Sequence, residues 1–369
     1  MCTGLAFSHC LLFWFFSALM LAAAAALLAG WGGSGRRRAA VRMLIVLGIG
    51  LVLLAVVIVG EFLAARRALG IGSIDLVRLA GPELRRLFMM ASWSSAGRAF
   101  FVCAVIAFAM RLPVLPFQGW FSGILAQAPT PVAMVLAGVI PITGGYGLLR
   151  IAGPLFPAAA TSLWSVCAIL AMVSIVYCAL CAAAQTETSR SIGYAISSFS
   201  SFALLGAASR TSTGAEGVVL IMLSTGLIAS LLILGGRYAD PKSSLVSFAL
   251  ILVLVAPGLL SQMMVLMGVF LAARSDSLLR TSGAASAATL YVTAAATCLG
   301  ILLTGVWATR LLNAFFASPD LVAPSSTEPD RGHVGTAAAL AVLAILLGIL
   351  PTPLCLIFSH SAIRVLLHG

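Results

Sequence analysis

Residues 43–60 read MLIVLGIGLVLLAVVIVG, a run of apolar residues and glycines that contains no charge. About 20 such residues in a helix are needed to cross the roughly 30 Å hydrocarbon core of a bilayer. Similar runs recur along the chain, and by this measure we predict about ten membrane spans. They lie at 10–31, 40–63, 99–123, 128–150, 161–184, 191–208, 217–236, 244–273, 283–310 and 335–359.

The composition supports a membrane protein. Of the 369 residues, 62% are hydrophobic and 8% are charged, and the mean hydropathy is +1.14. Soluble domains carry roughly a quarter of their residues as charges, so this chain cannot cover a surface that faces water. A soluble enzyme, a nucleic-acid binder and a disordered scaffold are therefore excluded. The fold class is an all-α polytopic transmembrane helix bundle, with residues 1–369 forming one membrane domain.

The charge distribution fits the same class, because most of the basic residues behind the net charge of +11 lie between apolar runs. Residues 64–98 interleave leucines with arginines, which predicts an interfacial amphipathic segment. Residues 317–334, with three prolines and three acids, are predicted to form a solvent loop. The N-terminus lacks the pattern of a mitochondrial transit peptide, so we expect a bacterial inner membrane rather than a mitochondrial one.

No sequence pattern indicates catalysis or a bound cofactor. The four histidines are scattered, and the pair Cys178 and Cys181 has no second pair or nearby histidine to complete a metal site. We therefore predict no catalytic residue, no metal and no cofactor in this chain. Helix breaks are indicated instead, because proline removes a backbone donor and clashes with the preceding turn. The predicted breaks lie at Pro113 and Pro116, at Pro141 and at Pro257.

A specific motif surrounds the first of these breaks. In chain order it comprises RLPVLPFQGW at 111–120, APTP at 128–131, LAG at 136–138 and GYGLLR at 145–150, with weaker matches as far as LGILP at 347–351. This order resembles the antiporter-like subunit 4 (chain M in bacteria) family of respiratory NADH:quinone oxidoreductase, complex I. It is also similar to the D-type subunits of Mrp sodium/proton antiporters. The resemblance covers about residues 11–365.

The resemblance implies two inverted five-helix repeats, each with one broken helix, and Pro113 and Pro257 fit those two positions. The family usually has fourteen helices, so ten here would imply loss of about the first four. The resemblance also implies partners, namely the other membrane-arm subunits of complex I or of an Mrp-type antiporter. Those chains would hold the sites for NADH, flavin, iron–sulfur clusters and quinone.

The chain departs from the family where the family moves protons. The resemblance implies five titratable positions within the bilayer, and here they are occupied by Ser17, Arg111, Ile142, Thr225 and Gln262. We predict that Ser17, Arg111, Thr225 and Gln262, together with Thr143 next to Ile142, form the polar lining of the path. Arginine stays charged near neutral pH, and hydroxyl and amide groups do not titrate there, so we predict a degenerate proton path.

The charged residues within the predicted spans, other than Arg111, are expected to lie at the ends of those spans, where long side chains can reach the interface. These residues are Arg42, Glu61, Arg150 and Arg310. Arg111 itself is predicted to face the bundle interior, with its donors met by backbone carbonyls or by polar side chains.

Three functions remain open on the sequence. The first is a membrane-arm subunit of a proton-pumping NADH:quinone oxidoreductase, and the second is a D-type subunit of a sodium/proton antiporter. The third is a structural paralogue that transports nothing.

Overall fold

The computed structural model of the chain describes residues 10–69, 94–238, 258–274 and 284–317. These residues form helices and the turns between them, and no strand occurs in these ranges. The all-helical class predicted from the sequence is confirmed.

The helices are numbered here in chain order. They are α1 (Cys10–Trp31), α2 (Arg36–Leu69), α3 (Ser94–Arg111), α4 (Gly119–Gln127), α5 (Thr130–Gly147), α6 (Pro157–Ala184), α7 (Thr188–Ser209), α8 (Ser212–Tyr238), α9 (Gly258–Arg274) and α10 (Ala284–Ala317). A π-helical turn at Leu148–Ala152 and a single α-turn at Gly153–Leu155 join α5 to α6.

Seven of the described helical segments are long and apolar enough to cross a membrane. They include α1, α2, α6, α7, α8 and α10, together with α5 and the turns that follow it. These seven correspond to seven of the predicted spans. An eighth predicted span, 99–123, is divided into α3 and α4.

Helix α7 lies at the centre of the bundle. It packs against α4, α6 and α8, and it is the least apolar of the candidate spans as well as the most buried. The outer helices show the reverse pattern, because they expose large apolar side chains. Examples on α1, α2 and α10 are Phe15, Phe16, Val52, Val59 and Leu302. Apolar side chains on outward faces are what a lipid environment requires.

The buried apolar side chains form two clusters that divide the bundle into two layers. One contains the C-terminal half of α2, all of the buried part of α3 and the second half of α7. The other contains the N-terminal half of α2, α4 and the first half of α7. Helices α3 and α4 thus belong to different layers, and the break between them lies at the boundary.

The break predicted at Pro141 is absent, because α5 runs without interruption from Thr130 to Gly147. Opening a helix in lipid would expose several backbone groups, whereas one proline frees only one carbonyl and is tolerated in membrane helices. Helix α5 also packs closely against α8 near this proline: a Cβ on Gly226 of α8 would lie 3.3 Å from the Cα of Gly138 on α5.

Several predicted features lie outside the described residues. They are Pro257, the solvent loop from 318 to 334, the last predicted span at 335–359 and residues 70–93 of the interfacial segment. The ends of that segment are described, and they continue α2 as far as Leu69 and begin α3 at Ser94.

Candidate functional site

The candidate site is the interruption between α3 and α4, at residues 112–118. Two prolines in four residues explain why the chain leaves the helix there, since each lacks a backbone donor and disfavours helical geometry in the residue before it. The Leu115–Pro116 bond is cis. The predicted break at Pro113 and Pro116 is therefore present, with Pro113 buried and Pro116 exposed.

The backbone groups released by the break find new partners. The N–H of Val114 donates to the carbonyl of Ala109 at 3.1 Å, taking the bond that Pro113 cannot make. This shift frees the carbonyl of Met110, which accepts the indole N–H of Trp120 at 3.2 Å. A side chain from the first turn of α4 thus supplies the hydrogen bond that this buried backbone acceptor needs.

Arg111 is the last residue of α3 and is 3% exposed. Its guanidinium carbon lies 5.5 Å from the ring centre of Phe13 on α1 and 5.9 Å from that of Phe108 on its own helix. Its Nη1 atom is buried and has no hydrogen-bond partner among the described residues. Arg111 is thus buried in the bundle, as predicted, but the predicted carbonyl or hydroxyl partner is missing at Nη1, and aromatic rings lie beside the charge.

The reason for this difference is the shape of the break. Two carbonyls at the break, those of Ala109 and Met110, already accept bonds from Val114 and Trp120. The guanidinium then rests on the negative faces of two rings, an arrangement that attracts a cation, more strongly where water is excluded. Phe13 is itself fixed by a contact with Tyr146 at 5.7 Å between ring centres.

A chain of hydroxyl groups leads from the break into the bundle. The N–H of Leu115 donates to Ser174 Oγ on α6 at 3.0 Å, and Ser174 Oγ lies 2.8 Å from Ser201 Oγ on α7. Ser201 donates to the carbonyl of Ser197 at 2.7 Å. Since Ser201 uses its proton there, Ser174 is the donor to Ser201. The chain begins at an amide and ends at a carbonyl.

This hydroxyl chain is not among the features predicted from the sequence, although the sequence carries one signal of it. Residues 197–201 of α7 read SSFSS, and all four serines are buried. Serines at such density in a membrane span indicate an interior helix face, because hydroxyls in lipid need partners. Which partners they meet depends on how α6 and α7 pack.

None of the other predicted lining residues donates to or accepts from Arg111 Nη1 among the described residues. Ser17 is buried on α1, one turn beyond Phe13. Thr143 donates to the carbonyl of Ile140 on its own helix at 2.7 Å. Thr225 on α8 and Gln262 on α9 are buried, and Thr225 Oγ1 and Gln262 Nε2 have no partner in the described ranges.

The α8–α9 contact carries a second, smaller polar group. Ser224 and Ser261 lie 3.3 Å apart between their hydroxyl oxygens, and each also donates to a carbonyl of its own helix. Thr225 and Gln262 follow these two serines in the sequence. The group contains hydroxyls and one amide, none of which titrates near neutral pH.

Glu61 corrects one prediction. The sequence predicts a position at a span end with the side chain at the interface, yet the side chain of Glu61 is 0% exposed. Two features explain its burial: α2 continues for two turns beyond it, and α3 packs beside it so closely that a Cβ on Gly60 would overlap the ring of Phe100. A glutamate side chain is also too short to reach past these neighbours.

Comparison with known proteins places this arrangement in a family. The family described as NADH:quinone oxidoreductase/Mrp antiporter, transmembrane region, matches residues 8–267. NAD(P)H-quinone oxidoreductase chain 4 1 of Thermosynechococcus vestitus is 39% identical over 143 residues, which are 38% of this chain and 27% of that protein. The Acaryochloris marina chain 4 is 35% identical over 175 residues, 47% of this chain and 31% of its own. The matched stretches thus span about a quarter to a third of these relatives.

Solved structures share the fold over most of the chain. Respiratory complex I from Thermus thermophilus gives a TM-score of 0.71 at 21% identity and covers 96% of this chain and 73% of the matched chain. The Mrp complex from Dietzia sp. gives a TM-score of 0.69 at 16% identity, and the match covers 98% of this chain and 75% of the matched chain. The family match, the broken helix and this shared fold agree: the chain belongs to the NADH:quinone oxidoreductase/Mrp antiporter family of membrane proteins.

Proposed function

We propose that this chain is a membrane-arm subunit of a proton-pumping NADH:quinone oxidoreductase and that its own proton path is degenerate. In this proposal its partners are the other membrane-arm subunits, and its location is a bacterial inner membrane. The redox sites and their cofactors belong to other chains of the complex. The chain-4 relatives support the choice of complex, and the polar groups around the helix break support the degenerate path.

The observation that carries the degenerate path is the hydroxyl chain from Leu115 through Ser174 and Ser201 to Ser197. A proton wire needs a group at each end that can release or accept a proton near neutral pH. Here one end is a backbone amide and the other is a backbone carbonyl. This chain of hydrogen bonds therefore fixes the break to α6 and α7, and it has no terminus from which a proton could leave.

Arg111 supports the same conclusion. An ionisable group that carries protons must alternate between charge states, and an arginine keeps its charge far more strongly than a lysine does. The faces of its two aromatic neighbours attract a cation. Arg111 is suited to holding α1 against the end of α3.

The alternative function is a D-type subunit of a multisubunit sodium/proton antiporter, which is favoured by the likeness to the Dietzia Mrp complex. That function needs no redox partner, because an existing ion gradient drives the exchange. A third alternative is a structural paralogue that transports nothing.

The test is purification of the tagged chain from its native membranes in mild detergent, followed by identification of the proteins that copurify. Membranes from an untagged strain serve as the control. We expect NADH-dehydrogenase subunits in stoichiometric amounts. Copurification of small antiporter subunits would establish the alternative, and recovery of the chain alone would contradict both assignments.

A further inference from the structure

Glu61 stands apart from the polar groups described above. It lies on α2, and its side chain is fully buried. Neither carboxyl oxygen has a hydrogen-bond partner in the part of the chain that the structure describes. A charged carboxylate in such surroundings would be very costly, and groups in this position neutralise instead.

The described residues around Glu61 that can be identified are apolar. Val57, Ile58 and Ala64 lie one turn away on the same face of α2 and belong to the first buried cluster. The ring of Phe100 on α3 covers the neighbouring Gly60 and lies 6.3 Å from the ring of Phe156, which precedes α6. No donor among these groups could stabilise a negative charge.

The charged residues of the elements packed against α2 do not reach Glu61. Helices α1 and α4 carry none. On α3, Arg98 is exposed, and Arg111 lies at the opposite end of the helix, where Gly50 of α2 packs beside Ala107 and Met110. Eleven residues of helix separate Gly50 from Glu61, an axial distance of about 16 Å. Arg66 and Arg67 on α2 itself are exposed.

We propose that Glu61 is a proton-binding site within the membrane, a neutral carboxylic acid buried where α2 packs against α3. The site exchanges its proton with the membrane surface near the C-terminal end of α2. The exposed Arg66 lies about 8 Å along the helix axis from Glu61 and marks the nearest charged position on that side. It is distinct from the hydroxyl chain at the helix break. The proposal does not depend on which complex the chain joins, because it concerns only the state of one carboxyl group.

A hydrophobic carbodiimide, dicyclohexylcarbodiimide, tests the proposal on the full chain in its native membranes. A protonated carboxyl gives its proton to one nitrogen of the reagent while its oxygen bonds to the central carbon. The adduct then rearranges to an N-acylurea, so the peptide gains the whole mass of the reagent and nothing leaves. A carboxylate has no proton to give, so the reaction slows as the pH rises.

Glu187 is the control within the same chain, because it is exposed and pairs with Arg190 at 2.7 Å. We expect mass spectrometry to find the hydrophobic reagent on the peptide that contains Glu61 and not on the one that contains Glu187. A water-soluble carbodiimide should give the opposite result. The Glu61 adduct should be lost in Glu61→Gln, persist in Glu187→Gln and decline as the pH of the medium is raised.

Two outcomes would overturn the proposal. One is an unmodified Glu61 in membranes where other carboxyls react with the hydrophobic reagent, which would mean a carboxylate paired with a cation. The other is equal modification of Glu61 by both reagents, which would mean that the group is open to water. If Glu61→Gln does not accumulate in the membrane, the comparison of the two reagents on the unaltered chain still decides between them.

Discussion

At the scale of single residues, Arg111 shows how the protein holds a charge without a hydrogen-bonding partner at Nη1. Its aromatic neighbours attract the guanidinium by about 0.5–2 kcal/mol. This attraction takes the place of a hydrogen bond to a carbonyl. Its aliphatic stem also fills space between α1 and α3, so its packing and its charge contribute separately. Two substitutions can separate these contributions.

We expect Arg111→Met to be better tolerated than Arg111→Ala. Methionine keeps most of the volume and removes a buried charge whose desolvation is costly, and replacing such a charge by an apolar group is often neutral. Alanine removes the charge and leaves a cavity, which typically costs about 2–5 kcal/mol for a large side chain. The measurement is the melting temperature in detergent of each purified variant.

Arg310→Ala is the matched control, since Arg310 is exposed and donates to the carbonyl of Ala183 at the edge of the bundle. Its melting temperature should stay close to that of the unaltered protein. Equal and large losses in Arg111→Met and Arg111→Ala would contradict this expectation, because they would show that the charge rather than the volume of the side chain holds the site together.

At the scale of elements, the position of α4 depends on a glycine in α7. A Cβ on Gly193 would lie 2.6 Å from the Cα of Ser122, which is backbone and cannot rotate away. We expect Gly193→Ala to push α4 outward and to destabilise the protein by about 1–3 kcal/mol, as overpacking in a filled core does. Gly123→Ala places the same methyl group on α4 where no atom of the described residues lies within 4 Å, so the thermal stability of this variant should be unchanged.

The connection between the break and α6 gives a second test at this scale. Ser174→Ala removes the acceptor of the Leu115 N–H and the neighbour of Ser201. A buried donor left without a partner costs about 1–3 kcal/mol, so we expect a lower melting temperature in detergent. Ser230→Ala is the control, because Ser230 donates only to Gly226 on its own helix. Equal effects of both variants would contradict the connecting role of Ser174.

The elements also show what sequence can and cannot predict. The break at Pro113 follows from local chemistry, because two prolines within four residues each remove a backbone hydrogen bond from the helix and clash with the preceding turn. Pro141 carries the same local signal, but the cost of opening a helix in lipid opposes it. Burial of Glu61 depends on which helix covers it, and that is fixed by tertiary packing rather than by position along a span.

At the scale of the whole molecule, two buried clusters lie on either side of the break, and the fold as a whole is shared with chains of the Thermus thermophilus complex I and of the Dietzia Mrp complex. The fold class was predictable because span length and apolar composition depend only on the bilayer. The expectation that titratable positions have been lost rests on the resemblance alone. The hydroxyl chain that lies at the break became visible only when α6 and α7 were placed side by side.

The last prediction concerns proton pumping by the assembled complex. We expect the Arg111→Ala complex, reconstituted in vesicles, to keep the proton-to-electron ratio of the unaltered complex at matched rates of electron transfer. The physical reason is that Arg111 and the hydroxyls at the break offer no group that binds and releases protons near neutral pH. Arg310→Ala, assembled and assayed in parallel, controls for the loss of an arginine. A ratio lowered by the share of a whole antiporter-like subunit in Arg111→Ala alone would show that the break is part of a working channel.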